Sequence, residues 1–356
     1  MSLPERVAVA EPGARFLAEI REQPQALRRL LAHDAEFARV AAAARERGPL
    51  VRFVGHGSSD NAATYGVYAF GLLSRWTALR DSIALTVYFD ATFDLSGSTV
   101  LGLSQSGQTP DVVEYLRRAR RRGAFTVAIT NDPSAEMAEV AEAVLPLDAG
   151  PELAVAATKT YLNQLAALAL LAAHIGGDAK RVADGIRSVA DQIDEVLPAL
   201  EAETQALALP FSYVGRMFVI GRGPEFSTAR EVALKLLETC RTAAAPLTAT
   251  DLAHGPVAVL DPLFPVWAIA SHDKTLSAVQ EAVARVRQFG STLVASGNAA
   301  DAIDADYRLA VPEPTVPLLS PLLSVLPGQL FASALARVKG FDPDSPRGLT
   351  KVTLAR

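Results

Sequence analysis

Two residue periods divide the chain. Short apolar, β-branched runs, such as "STVLGLS" at 98–104 and "FTVAIT" at 125–130, read as buried strands. Between them, "PDVVEYLRRARRRG" (110–123) places apolar residues at helical spacing, ends in basic residues and stops at Gly123. Pro110 suits the first helical position and Thr109 the N-cap before it. Further on, "STAREVALKLLETC" (227–240) reads as a helix, and "LAALALLAAHIGG" (165–177) as a buried, alanine-rich one. The segment "ARFLAEIREQPQALRRLLAH" (14–33) predicts a helical lead-in.

The pattern repeats. "VRFVGHGSS" at 51–59 matches "MFVIGRGPE" at 217–225, pairing Gly55 and Gly57 with Gly221 and Gly223. At nearly the same offset, "GAFTVAITN" (123–131) pairs with "GSTLVASGN" (290–298), and Ser104 with Ser271. One α/β unit used twice, with strands alternating with helices, predicts parallel sheets covered by helices on both faces. The expected segments are a lead-in at 1–46, a first unit at 47–200, a second at 208–340 and a tail at 341–356. The copies differ at one turn, "SQSGQT" in the first and "SHDKTL" in the second.

That turn is the first candidate site. Ser104, Ser106 and Thr109 supply hydroxyls beside Gln105, between a buried strand and a helix start. The first turn of a helix has free N–H groups and the positive dipole end, so added hydroxyls make a cradle for phosphate. The plainer alternative is a polar turn that only caps the helix. Because the second copy has no glycine there and fewer small donors, one anion site per chain is expected. Both copies carry Gly-x-Gly after a strand, but the third glycine of a dinucleotide fold is missing. Gly57 therefore permits a tight turn and close ligand approach, with Ser58 and Ser59 as further donors.

The second candidate is a charged stripe. Glu231, Lys235 and Glu238 share one face of the 227–240 helix, while Val232, Leu234, Leu236 and Leu237 flank it. A narrow charged stripe on an apolar helix predicts a polar cavity with an acid–base role for Glu238. A solvated Glu–Lys pair is the competing reading. His254 lies in "DLAHGP", on a turn, and none of the five histidines has metal-ligand spacing to another His or Cys. Lys351, near the chain end, reads by itself as a solvated lysine.

Composition narrows the class. The 356 residues carry a net charge of −5 and one cysteine, Cys240. That excludes an internal disulfide framework and argues against a nucleic-acid partner, but not against a phosphorylated metabolite. No signal peptide is read in "MSLPERVAVAEPG", and no apolar run has the flanks or length of a membrane span. The expected location is cytoplasmic, with no membrane partner.

In order and spacing, "EIREQPQALRRLL", "GHGSS", "SQSGQT", "ELAVAATKTYLNQL", "GRG", "EVALKLLE", "DLAHGP" and "PRGLTKVT" resemble the sugar isomerase (SIS) family. Within it, they resemble the isomerase half of the glutamine–fructose-6-phosphate aminotransferases. The resemblance implies two tandem SIS domains, each a three-layer α/β/α, flavodoxin-like fold, and neither metal nor redox cofactor. It implies that Ser59, Ser104, Gln105, Ser106 and Thr109 hold a sugar phosphate. It gives Glu238 the C1–C2 proton transfer, with Lys235 and Glu231 as its partners. It makes His254 a ring-opening residue donated across a homodimer, and Lys351 a lysine able to form a Schiff base with an open-chain ketose. Glu152 and Val155 line the same region.

Three departures stand out. Ala157 replaces a serine that touches phosphate or sugar, and His56 replaces a small residue. No glutaminase domain with an N-terminal cysteine is expected with this chain, which is read from "MSLPERV". The expectation is an aminosugar-6-phosphate deaminase/isomerase that opens the ring, moves the proton and releases ammonia. Deglycation of a fructosamine 6-phosphate, simple aldose–ketose isomerisation and a non-catalytic sugar-phosphate sensor are the alternatives.

Overall fold

The computed structural model describes residues 11–351. The leader reading at residues 1–10 and the last residues of the "PRGLTKVT" motif fall outside them.

Three helices lead in: α1 (Ala14–Arg21), α2 (Gln23–Leu30) and α3 (Asp34–Arg47). The first sheet has strands β1 (Leu50–Val54), β2 (Thr77–Arg80), β3 (Thr99–Ser104), β4 (Phe125–Thr130) and β5 (Ala143–Pro146). With them run α4 (Ser58–Ala69), α5 (Ile83–Val87), α6 (Pro110–Arg121) and α7 (Glu136–Val140). Two long helices follow, α8 (Lys159–Gly176) and α9 (Ala179–Ala208). The second sheet has β6 (Arg216–Gly221), β7 (Ala243–Thr248), β8 (Val266–Ile269), β9 (Leu293–Gly297) and β10 (Tyr307–Ala310). Its helices are α10 (Glu225–Cys240), α11 (Leu276–Arg287) and α12 (Ser320–Val338).

All strand pairs are parallel, in the orders β2-β1-β3-β4-β5 and β10-β9-β8-β6-β7. Read by position within each unit, the two orders are the same sequence of strands taken from opposite edges. The internal repeat is thus a repeat of topology. Every residue of β3 and β4 is buried, as expected where helices cover both faces.

One apolar core joins the inner faces of the two sheets through the helices between them. Phe53 and Leu101 lie on one side and Val219 and Trp267 on the other, with Leu165 of α8 and Phe331 of α12 in the same core. Smaller cores cover the outer faces. The segment Pro317–Val338 is long and apolar enough to cross a membrane, a length the sequence reading had not found in any run. It is 94% buried within the protein, packed against α9 and α10, so its hydropathy serves the core.

In the first sheet the chain turns from β1 to one neighbour, β2, and later to the other, β3. The loops leaving the carboxyl ends of β1 and β3 therefore diverge, and a crevice opens between them.

Candidate active site

The crevice is a cleft of about 470 Å³. Gly57 enters it from the loop after β1, Ser58 and Ser59 from the first turn of α4, Ser104 from the end of β3, and Gln105, Ser106 and Thr109 from the turn that follows. Val155, Glu238 and Lys351 complete the set of expected residues that line it. Gly57 turns with φ +56°, and Gly107 with φ +63°, where a Cβ would come within 2.6 Å of the Ala135 Cβ.

The β3–α6 turn is arranged as a set of donors. Thr109 occupies the N-cap position and Pro110 the first turn, but the Thr109 hydroxyl makes no cap bond. Instead it lies 3.0 Å from the Ser104 hydroxyl, which accepts from the Gly107 amide at 3.1 Å. Ser106 accepts from the Gln108 amide at 3.3 Å. Ser59, at the start of α4, accepts from the Gln164 side chain of α8 at 2.9 Å. Hydroxyls and the first turn of α6 thus converge on one space.

The charged stripe of α10 reaches the cleft only at its end. Glu231 and Lys235 are fully buried and do not line the cleft, whereas Glu238 is partly open and does. The Lys235 ammonium donates to Glu238 Oε2 at 2.7 Å and to Ser58 Oγ at 3.2 Å, and lies 3.2 Å from Glu231 Oε1. Glu231 also accepts from Ser58 at 2.9 Å and Asn61 at 2.8 Å. Burial works against the Lys235 charge, but Glu231 and Glu238 outweigh it and hold its pKa above the ordinary lysine value. Burial raises the Glu231 carboxyl against the pull of Lys235 and its donors. A fixed internal cation therefore holds Glu238 from below while its other side faces the cleft.

Glu152 stands behind the cleft wall rather than on it. Its carboxylate accepts from the Thr158 and Thr160 amides at 2.9 and 3.1 Å, and from Lys351 Nζ at 2.8 Å. Burial opposes its charge, but Lys351 and these donors hold the carboxyl below its usual range. Lys351 also donates to the Ala154 carbonyl at 2.7 Å, so it is pinned at the site and is not a solvated lysine. His254 is not brought to the cleft: it is exposed, on the short turn Asp251–His254.

Further lining residues escaped the sequence reading as ligand contacts. Thr160, Tyr161 and Gln164 come from the first turns of α8, inside the quoted "ELAVAATKTYLNQL" motif. The motif was quoted for the resemblance, and nothing in it marked which of its side chains would meet the cleft. His56 and Asp111 also line it, with His56 Nε2 3.2 Å from Asp111 Oδ2. Ala157 lies in the wall as well. Glu19 of α1 accepts from the Leu153 and Ala154 amides and so fixes the strand of chain that Lys351 contacts.

In the second copy, Glu225 stands where the first has Ser59. Its carboxylate accepts from Ser271, the counterpart of Ser104, at 2.5 Å, and from Ser324 at 2.9 Å and Thr228 at 2.7 Å. A side-chain carboxylate therefore satisfies Ser271, whose counterpart Ser104 lines the cleft in the first copy.

Residues 51–174 and 211–338 both match the SIS domain. The chain belongs to the SIS family. It is 36% identical over 347 residues to a glutamine–fructose-6-phosphate aminotransferase (isomerizing) of Methanothermobacter thermautotrophicus, covering 94% of this chain and 56% of that protein. A Thermus thermophilus protein of the same name is 35% identical over 318 residues, covering 85% of this chain and 51% of the relative. The chain thus spans about half the length of these relatives. A Silicibacter pomeroyi structure described as a candidate phosphosugar isomerase superposes with TM-score 0.82 at 33% identity, covering 92% of this chain and 99% of that one. The C-terminal domain of a Francisella tularensis glucosamine–fructose-6-phosphate aminotransferase, at 24% identity and TM-score 0.85, shares the fold over 92% of this SIS chain and 97% of its own.

Proposed function

We propose that the chain is an SIS-type phosphosugar isomerase whose substrate is a hexose 6-phosphate, and that from an aminosugar 6-phosphate it releases ammonia. The observation that carries this reading is the position of Glu238. It faces the same cleft as the Ser59, Ser104, Ser106 and Thr109 hydroxyls, and the buried Lys235 holds it from behind. A cradle that grips phosphate and a carboxylate across the same cleft are the two parts that a C1–C2 proton transfer needs.

In the proposed reaction the hydroxyl cradle holds the 6-phosphate and the open-chain sugar extends toward α10. Glu238 removes the C2 proton and returns a proton to C1. The Lys235 ammonium orients the Glu238 carboxylate before the first transfer and receives it again after the second, while Glu238 holds the proton between them. For a 2-amino sugar the product of that shift is an imine at C2. Water adds there, the C–N bond breaks, and ammonia leaves with a ketose 6-phosphate. For an ordinary aldose phosphate the same proton shift ends at the ketose. Lys351, held by Glu152, is proposed to stabilise the developing oxygen charge or to meet the open-chain carbonyl.

Incubation with glucosamine 6-phosphate, galactosamine 6-phosphate, fructosamine 6-phosphates and plain hexose 6-phosphates, without glutamine, tests the reading by product identification. Glu238→Gln is expected to lower kcat by at least about a hundredfold, the scale of a positioned acid–base group. Tight binding of the sugar phosphates with no product from any of them would replace the enzyme by a sensor.

A further inference from the structure

We propose that His56, held by Asp111, is the cationic ligand that this cleft presents to the substrate's phosphate. The assignment rests on the phosphosugar reading above. It starts from a charge problem in the cradle. Ser104, Ser106 and Thr109 are neutral donors, as is the Gln105 amide. Asp111, two residues beyond Thr109 in the first turn of α6, is the ionisable group beside them. A carboxylate there competes with phosphate for the positive end of the helix and repels a dianion.

Asp111 is 9% exposed, and its Oδ1 is buried with no partner among the described residues. Its side-chain partner is His56, with Oδ2 3.2 Å from Nε2. The His56 side chain is 55% exposed and lines the same cleft, on the tight Gly55–Gly57 loop. With Nε2 engaged by the carboxylate, Nδ1 is the ring's uncommitted nitrogen. Protonated, His56 cancels the Asp111 charge and has a second N–H to give to a phosphate oxygen. Lys351, the lysine of the cleft wall, is already engaged by Glu152 and the Ala154 carbonyl. The small-to-His departure at this loop therefore supplies a counter-charge where the hydroxyl cradle has none.

Titration calorimetry with glucose 6-phosphate, and with inorganic phosphate as the minimal probe, tests this on the intact chain. His56→Gln is expected to weaken both about tenfold, the scale of one charge-assisted contact. Adding Asp111→Asn to His56→Gln is expected to recover part of the loss, the part due to the uncompensated carboxylate, while the His56 contact itself stays lost. A merely structural His56 gives no such recovery. Unchanged affinity in His56→Gln, or a double variant no better than the single one, overturns the proposal. Binding by the wild type without turnover of any sugar phosphate sinks the isomerase reading and leaves this comparison readable. A wild type that binds neither probe removes the cradle and the assignment with it.

Discussion

Glu19 receives the Leu153 amide from 134 residues away, next to the Ala154 carbonyl that Lys351 uses. Burial pushes its carboxyl up from an ordinary value of 4.5 to about 7, with the neighbouring Glu152 adding to the rise and the amide bonds and Lys351 opposing it. The folded chain then keeps this proton up to about pH 7, whereas the unfolded chain releases it near 4.5. Its contribution to stability is present below 4.5 and is lost as pH rises through about 7. Glu19→Gln should remove that slope, so the difference in Tm between the variant and wild type should change across this interval. A constant difference in melting curves taken from pH 4 to 8 would contradict the assignment. Nothing local in "LAEIREQ" marks Glu19, because its donors and its burial come from a distant loop.

The strand–turn–helix β3–α6 is the element whose role was clearest from sequence. The buried run, the Thr-Pro helix start and the hydroxyl spacing are local, and so they predict the turn that forms. Ser104→Ala together with Ser106→Ala is expected to weaken hexose 6-phosphate binding, at about 1.5–3 kcal/mol for each hydrogen bond to the charged group. Titration calorimetry reads this directly, and unchanged affinity would remove the phosphate site. The helix α10 was legible only in part. Its period placed Glu231, Lys235 and Glu238 on one face, yet that face meets α4 along most of its length. Ser58 and Asn61 seal Glu231 and Lys235, and Glu238 alone emerges into the cleft. The same limit applies to the second copy: its fewer small donors were visible in "SHDKTL", but the carboxylate of Glu225 among Ser271, Thr228 and Ser324 was not.

At the scale of the whole molecule, the cleft lacks the histidine that the family resemblance assigns to it. His254 is exposed, on a turn near the half-exposed Val259. A homodimer that carries this turn to a partner's cleft is the proposed arrangement. Mixing Glu238→Gln chains with His254→Ala chains should then recover up to about a quarter of wild-type activity, since half the dimers are mixed and each has one intact site. A protein that sediments as a monomer and still turns over would contradict it. Sequence by itself determined the repeat, the parallel α/β units, the hydroxyl turn and the charged face of α10. Each depends on neighbours in the chain or on a period of two or 3.6 residues. Tertiary structure decided the rest: which ends of the strands open into a cleft, that Glu152 pins Lys351 there, that Gln164 holds Ser59, and that His56 meets Asp111. These pairings join segments far apart in the chain, and no periodicity carries the distance between two side chains on different elements. The packing of α4, α6 and α8 and of the loops that carry Glu152 and Lys351 sets it.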